Sequence, residues 1–118
     1  MYKTITLLKR RDGMSLDDFI AYYEAHHRLI GEKYLRGRAE RYFRRYLRPR
    51  DDSGVPTDYD VVTEVWFADR AAFDATLAVL MQPDAAAEIA ADEERLFDRS
   101  KIRMFAVEEH ESDMDTAG

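Results

Sequence analysis

One histidine in this chain stands where a proton could be moved. His27 lies four residues after Tyr23 and three before Ile30, inside a run in which Leu16, Phe19, Ile20, Tyr23, Ile30 and Tyr34 recur at three- and four-residue steps. That spacing puts the ring on the core-facing side of a helix. An imidazole that titrates near neutrality can take a proton from an activated carbon or a phenol and return it elsewhere. The competing reading is a core histidine satisfied by a backbone carbonyl or a glutamate. His26 falls about 100° around the same helix, at the edge of the stripe.

Two more residues complete the candidate catalytic set. Tyr46 offers a hydroxyl donor. Glu64 is a carboxylate in the middle of the apolar run 61–67, where burial would oblige it to find a partner. It can orient His27, bind a ligand, or pair with an arginine of the preceding strand. Tyr23, Ile30, Tyr42 and Trp66 are candidates to line a ligand site, against core or interface packing, which draws on the same aromatic burial. No spacing of the His-Glu-x-x-His kind joins His27 to Glu64 or Asp92 as metal ligands, so neither a metal nor a cofactor is expected. Asp92 and Glu93 read as helix surface or as partners of strand arginines. Residues 36–50 hold Arg36, Arg38, Arg41, Arg44, Arg45, Arg48 and Arg50. They suit an anionic ligand, or else pair with the chain's 24 acids and lie over the sheet edge.

The elements that would position these residues follow from punctuation and period. Residues 2–9 are β-rich and give a first strand. Ser15 with Asp18 three residues on is a near capping box, and Met14 with Phe19 a hydrophobic staple, so a helix runs from Leu16 to about Leu35 and stops at Gly37. Residues 39–48 form a second strand. Residues 49–57, rich in Pro, Asp, Ser and Gly, form a polar loop. Residues 59–67 form the clearest strand. Asp69 caps a second helix to about Met81, Pro83 opens another to about Phe97, and residues 101–107 form a fourth strand. The order β-α-β-β-α-β implies an α+β fold of the ferredoxin-like kind: one antiparallel four-stranded sheet with its helices on one face. The third strand is apolar on both alternations, Val61 and Val65 on one side, Val62 and Trp66 on the other. A second copy of the sheet would cover the face the helices leave open, making a homodimer.

A chain of 118 residues with 46% hydrophobic and 36% charged residues is one domain with a real core. We assign 1–110 to it and 111–118 to a frayed acidic tail. No cysteine is present, which removes thiolate chemistry and fits a cytoplasmic setting. No signal peptide or membrane-spanning run is visible. A net charge of −6 argues against a nucleic-acid partner.

Phe19-x-x-Tyr22-Tyr23-x-x-x-His27-x-x-Ile30, then Tyr59-Asp60, Glu64-x-Trp66-Phe67, Ala91-Asp92-Glu93 and Phe97-Asp98 in that order resemble the motifs of the EthD-like family over about residues 3–107. Arg28-Leu29 departs from it, since the family often has a small residue and Pro there. The resemblance implies a dimeric α+β barrel with a ligand pocket in each subunit between helices and sheet. Barrels of this kind serve as cyclases, isomerases, cofactor-free monooxygenases and haem-degrading enzymes, so the fold selects no chemistry. The residues favour a metal-free isomerisation, cyclisation or dehydration of a compact apolar or aromatic carbonyl compound. The alternatives are a non-catalytic ligand-binding or accessory protein of an oxidoreductase or degradation pathway, and a purely structural dimer whose interior is filled.

Overall fold

The computed structural model describes residues 1–51 and 53–115. Strand β1 (Tyr2–Leu8) leads through a turn to helix α1 (Leu16–Tyr22). A π-turn (Tyr23–His27) joins α1 to α2 (Arg28–Leu35) without a break in the helix. Strands β2 (Arg41–Tyr46) and β3 (Val61–Phe67) follow. Then come α3 (Arg70–Leu80), α4 (Pro83–Leu96), a short 3₁₀ turn (Arg99–Lys101) and β4 (Arg103–Ala106). The sheet order is β2-β3-β1-β4, and every neighbouring pair is antiparallel. This is the expected α+β architecture.

The local signals act as read. The Ser15 hydroxyl accepts from the Asp18 N–H at 3.1 Å, and Asp69 caps α3 by accepting from the Ala72 N–H at 2.8 Å. Pro83 occupies the first turn of α4, where its missing N–H costs nothing. Gly37, at φ +78°, lets the chain leave α2 through the left-handed region. Each strand is one to four residues shorter than its predicted run, because pairing ends where the partner strand turns away.

Register sorts the sheet residues. Across the helix-facing side run the rows Tyr42–Val65–Thr4–Ala106, Arg44–Thr63–Thr6–Met104 and Tyr46–Val61–Leu8. The core forms there from Leu8, Val61, Phe19, Tyr23, Leu96 and Phe97, with Met14 packed against it. The open side carries Arg41–Trp66–Lys3, Phe43–Glu64–Ile5–Phe105 and Arg45–Val62–Leu7–Arg103. Here Lys3 lies over the Trp66 ring at 3.7 Å and Arg45 over Phe43 at 4.6 Å. The second apolar alternation of β3 is therefore partly covered by the chain's own cations.

Among the described residues no helix is long and apolar enough to cross a membrane. Residues 107–115 carry no regular secondary structure, and the remainder of the predicted acidic tail, 116–118, lies outside the described residues, as does Asp52 of the predicted loop. Within 49–57 the bonds are local, such as Ser53 N–H to Asp51 at 3.2 Å and Val55 N–H to the Ser53 hydroxyl at 3.3 Å. Lys9 reaches the Thr57 carbonyl at 2.8 Å at its edge. Amides of the described part of this loop should exchange with little protection in a hydrogen-exchange experiment. Protection matching that of β3 would contradict this.

Candidate functional site

A cavity of about 240 Å³ opens between the sheet and the helices. Thr4, Thr6, Leu8, Thr63, Val65 and Phe67 form its floor. Tyr23, His27, Ile30, Gly31 and Tyr34 form one wall, and Phe73, Leu77, Ile89, Glu93 and Phe97 the other. The lining is mostly apolar, with hydroxyls set into it. A space of this size suits a compact ligand rather than an extended chain.

The π-turn places the histidine. In a straight α-helix each four-residue step overshoots one turn by about 40°, so Phe19, Tyr23 and His27 would drift around the axis. The wider turn at Tyr23–His27 offsets that drift and keeps the three side chains on the core side. Phe19 and Tyr23 become fully buried, and His27 remains 13% exposed at its side chain. The His27 ring stands edge-on to Tyr23 and Phe97, with centroids 5.1 and 5.2 Å away.

The partner of His27 is Asp92 of α4, whose Oδ2 lies 2.8 Å from Nδ1. The Tyr22 hydroxyl donates to the other carboxylate oxygen at 2.5 Å, and Arg95 stands 3.7 Å away. Burial alone would raise the Asp92 carboxyl. The hydrogen bonds from Tyr22 and His27 outweigh it and hold Asp92 below the usual carboxylate range. An ionised carboxylate only accepts, so Nδ1 carries the hydrogen. Nε2 bonds to no described residue and keeps accessible surface, on a side chain that lines the cavity. In the neutral ring the basic lone pair is then on Nε2.

Asp92 also sets a pH dependence. Its folded-state value lies below its unfolded one, so its contribution to stability is present above the unfolded carboxylate range. It is lost as pH falls through the folded value. In urea unfolding between about pH 2 and 5, the wild type should lose stability more steeply than Asp92→Asn. Some slope should remain in the variant, because Arg44 also holds Glu24 low. Identical slopes for the two proteins would contradict the linkage.

The other candidates divide by sheet face. Tyr23, Ile30 and Tyr42 line the cavity beside His27. The Tyr23 and Thr63 hydroxyls bond at 2.8 Å, and burial raises the Tyr42 phenol well beyond its ordinary value, so both tyrosines keep their protons. Gly31 makes room for Tyr42: a Cβ there would lie 2.8 Å from the Tyr42 hydroxyl oxygen. Tyr46 is not among the lining residues. Its hydroxyl donates at 2.6 Å to Glu24, which Arg44 also grips at 2.8 and 2.9 Å. Glu64 and Trp66 are on the open side of the sheet, because the period-two alternation of β3 gives the cavity Thr63, Val65 and Phe67 instead. Glu64 accepts from the Trp66 indole at 2.6 Å and pairs with Arg45 of β2 at 3.5 Å, so the strand-arginine reading holds for it. The carboxylate that orients His27 is Asp92. Among the described residues no three His, Cys, Asp or Glu side chains converge as a metal site requires.

In the sequence Asp92 and Glu93 read as helix surface or as partners of strand-two arginines; the structure pairs Asp92 with His27 and Tyr22. A signal was present for Asp92. Ala85, Ile89, Asp92 and Leu96 follow four- and three-residue steps, so Asp92 falls on an apolar stripe as His27 does.

Two solved structures share the fold. The crystal structure of At3g17210 from Arabidopsis thaliana superposes with a TM-score of 0.62 at 16% identity, covering 97% of this chain and 100% of that one. HapK from Hahella chejuensis gives 0.60 at 19% identity, covering 99% and 100%. No curated protein matches the sequence significantly. Residues 11–100 match the family described as EthD domain, and that span takes in α1 through α4 with His27 and Asp92. The chain belongs to the EthD domain family.

Proposed function

We propose that this protein binds a compact apolar or aromatic carbonyl compound in the cavity and that His27 removes and returns a proton on it. The observation that carries this reading is a histidine whose Nδ1 is held by the buried carboxylate of Asp92 while Nε2 is left without a described partner at an apolar cavity wall. A structural histidine needs neither the open nitrogen nor the space beside it. The cavity also speaks against a purely structural interior, since close-packed cores hold few voids larger than a water. Isomerisation, cyclisation and dehydration all need such a positioned base. Tyr23, Ile30 and Tyr42 shape the site, and Asp92 takes the orienting role.

The test is deuterium incorporation at the α-carbon of acetophenone, 1-tetralone and phenylacetone in D₂O, followed by proton NMR. The wild-type protein should exchange at least one of them faster than buffer, and Asp92→Asn should slow that exchange. Exchange at the buffer rate for all three would overturn the catalytic reading. If they also bind in the cavity, the alternative of a non-catalytic carrier takes its place.

The assembly we propose is a homodimer through the open side of the sheet, where Ile5, Leu7, Phe43 and Phe105 lie among the cations. The buried area should equal or exceed about 1,600 Å² in total. Sedimentation of a monomer at micromolar concentration would sink this proposal.

A further inference from the structure

Ile89 and Glu93 of α4, and Phe97 just past its end, line the cavity at four-residue steps. A carboxyl group between two apolar residues on a cavity wall is out of place as packing. Its side chain is 20% exposed, and it makes no hydrogen bond with any described residue. Its nearest cation is Arg99 on the 3₁₀ turn, whose Nε stands 3.7 Å away, beyond hydrogen-bonding distance. The neighbouring residue on α4, Asp92, is fully engaged by Tyr22 and His27. Two adjacent acids of one helix therefore stand in opposite environments, one ionised and bonded, the other facing apolar space.

Resting on the reading of His27 as the base, we propose that Glu93 is the acid of the same reaction, donating its carboxyl proton to the carbonyl oxygen of an enolisable ketone. The forward step breaks the α C–H bond, and that proton goes to His27 Nε2. The freed electron pair forms the C=C bond, and the carbonyl π pair takes the proton from Glu93. An enol, an imidazolium and a carboxylate result. Where the ketone is β,γ-unsaturated the enol is a dienol; returning the imidazolium proton to its γ-carbon, while Glu93 recovers the enol proton and the remaining C=C comes to lie between the α- and β-carbons, completes an isomerisation with no oxidant or reductant. Burial raises the Glu93 carboxyl above the ordinary range, and Arg99 and His27 pull only partly against it. Two titratable groups pushed in different directions by their surroundings are what paired acid and base work needs.

The probe is acetophenone labelled with ¹³C at its carbonyl. Bound to the wild type, its carbonyl resonance should move downfield, as hydrogen-bond donation to the oxygen requires. The displacement should persist in His27→Ala and vanish in Glu93→Ala. It should also fade as pH rises through the raised Glu93 value. In the deuterium-exchange assay Glu93→Gln should fall by about 10²–10⁴-fold while still binding the probe. An equal downfield displacement in wild type and Glu93→Ala, or no bound resonance at millimolar probe, would overturn the proposal. Displacement without exchange in any protein would instead remove the base role of His27 and leave Glu93 standing as a donor, so the two failures are distinguishable.

Discussion

Replacing His27 by alanine should lower turnover by about 10²–10⁴-fold while the protein still folds. The ring contributes edge-on contacts with Tyr23 and Phe97 and one hydrogen bond to Asp92. Its loss does not strand the carboxylate, because Tyr22 still donates to Asp92 and Arg95 remains close. The stability cost should therefore fall at about 1–3 kcal/mol, within the common range for single substitutions. A domain of this size holds about 5–15 kcal/mol, so the variant should melt cooperatively at a lower temperature. Turnover and melting measured on the same preparation separate the roles. Lost turnover with a retained transition marks an acid or base, and gross unfolding marks a structural histidine. Turnover at the wild-type rate ends the catalytic reading.

The largest effect on stability should come from Phe19→Ala. Phe19 is fully buried, and its ring meets Tyr23, Tyr46 and Phe97 edge-on with centroids 6.0, 6.3 and 5.8 Å away. It joins α1 to β2 and to the end of α4, so no single neighbour can move in to fill the space. Phenylalanine-to-alanine changes in such cores cost about 3–5 kcal/mol, from lost transfer energy and the cavity left behind. Chemical denaturation should show a much lower midpoint with an unchanged slope. A loss below about 1 kcal/mol would mean that the cluster around Phe19 is not the core.

Much of this was legible in the sequence, for identifiable reasons. Ser15, Gly37, Asp69 and Pro83 act within a few residues of themselves, and they punctuate the chain as read. The three- and four-residue steps of Phe19, Tyr23, His27 and Ile30 mark His27 as a core-side residue, since helical periodicity is also local, and the π-turn keeps it there. The π-turn was not legible, since no residue type marks the insertion of a wider turn. Glu64 was misplaced as a site candidate because strand alternation says which residues share a face, not which face meets the helices. That choice is made by pairing with β1 and by the packing of Leu8 and Val61 under Phe19. The partner of His27 is 65 residues away on another helix, a separation no pattern along the chain encodes. Only the stripe spacing of Asp92 hinted at it.

The most direct measurement is of the two nitrogens of His27 by ¹⁵N NMR, with and without acetophenone. The arrangement with Asp92 predicts that the neutral ring carries its hydrogen at Nδ1 and is bare at Nε2, with an Nε2 resonance that moves when the probe enters the cavity. A ring protonated at Nε2 instead, or an Nε2 resonance unmoved by a probe that shifts the cavity's methyl signals, would contradict it.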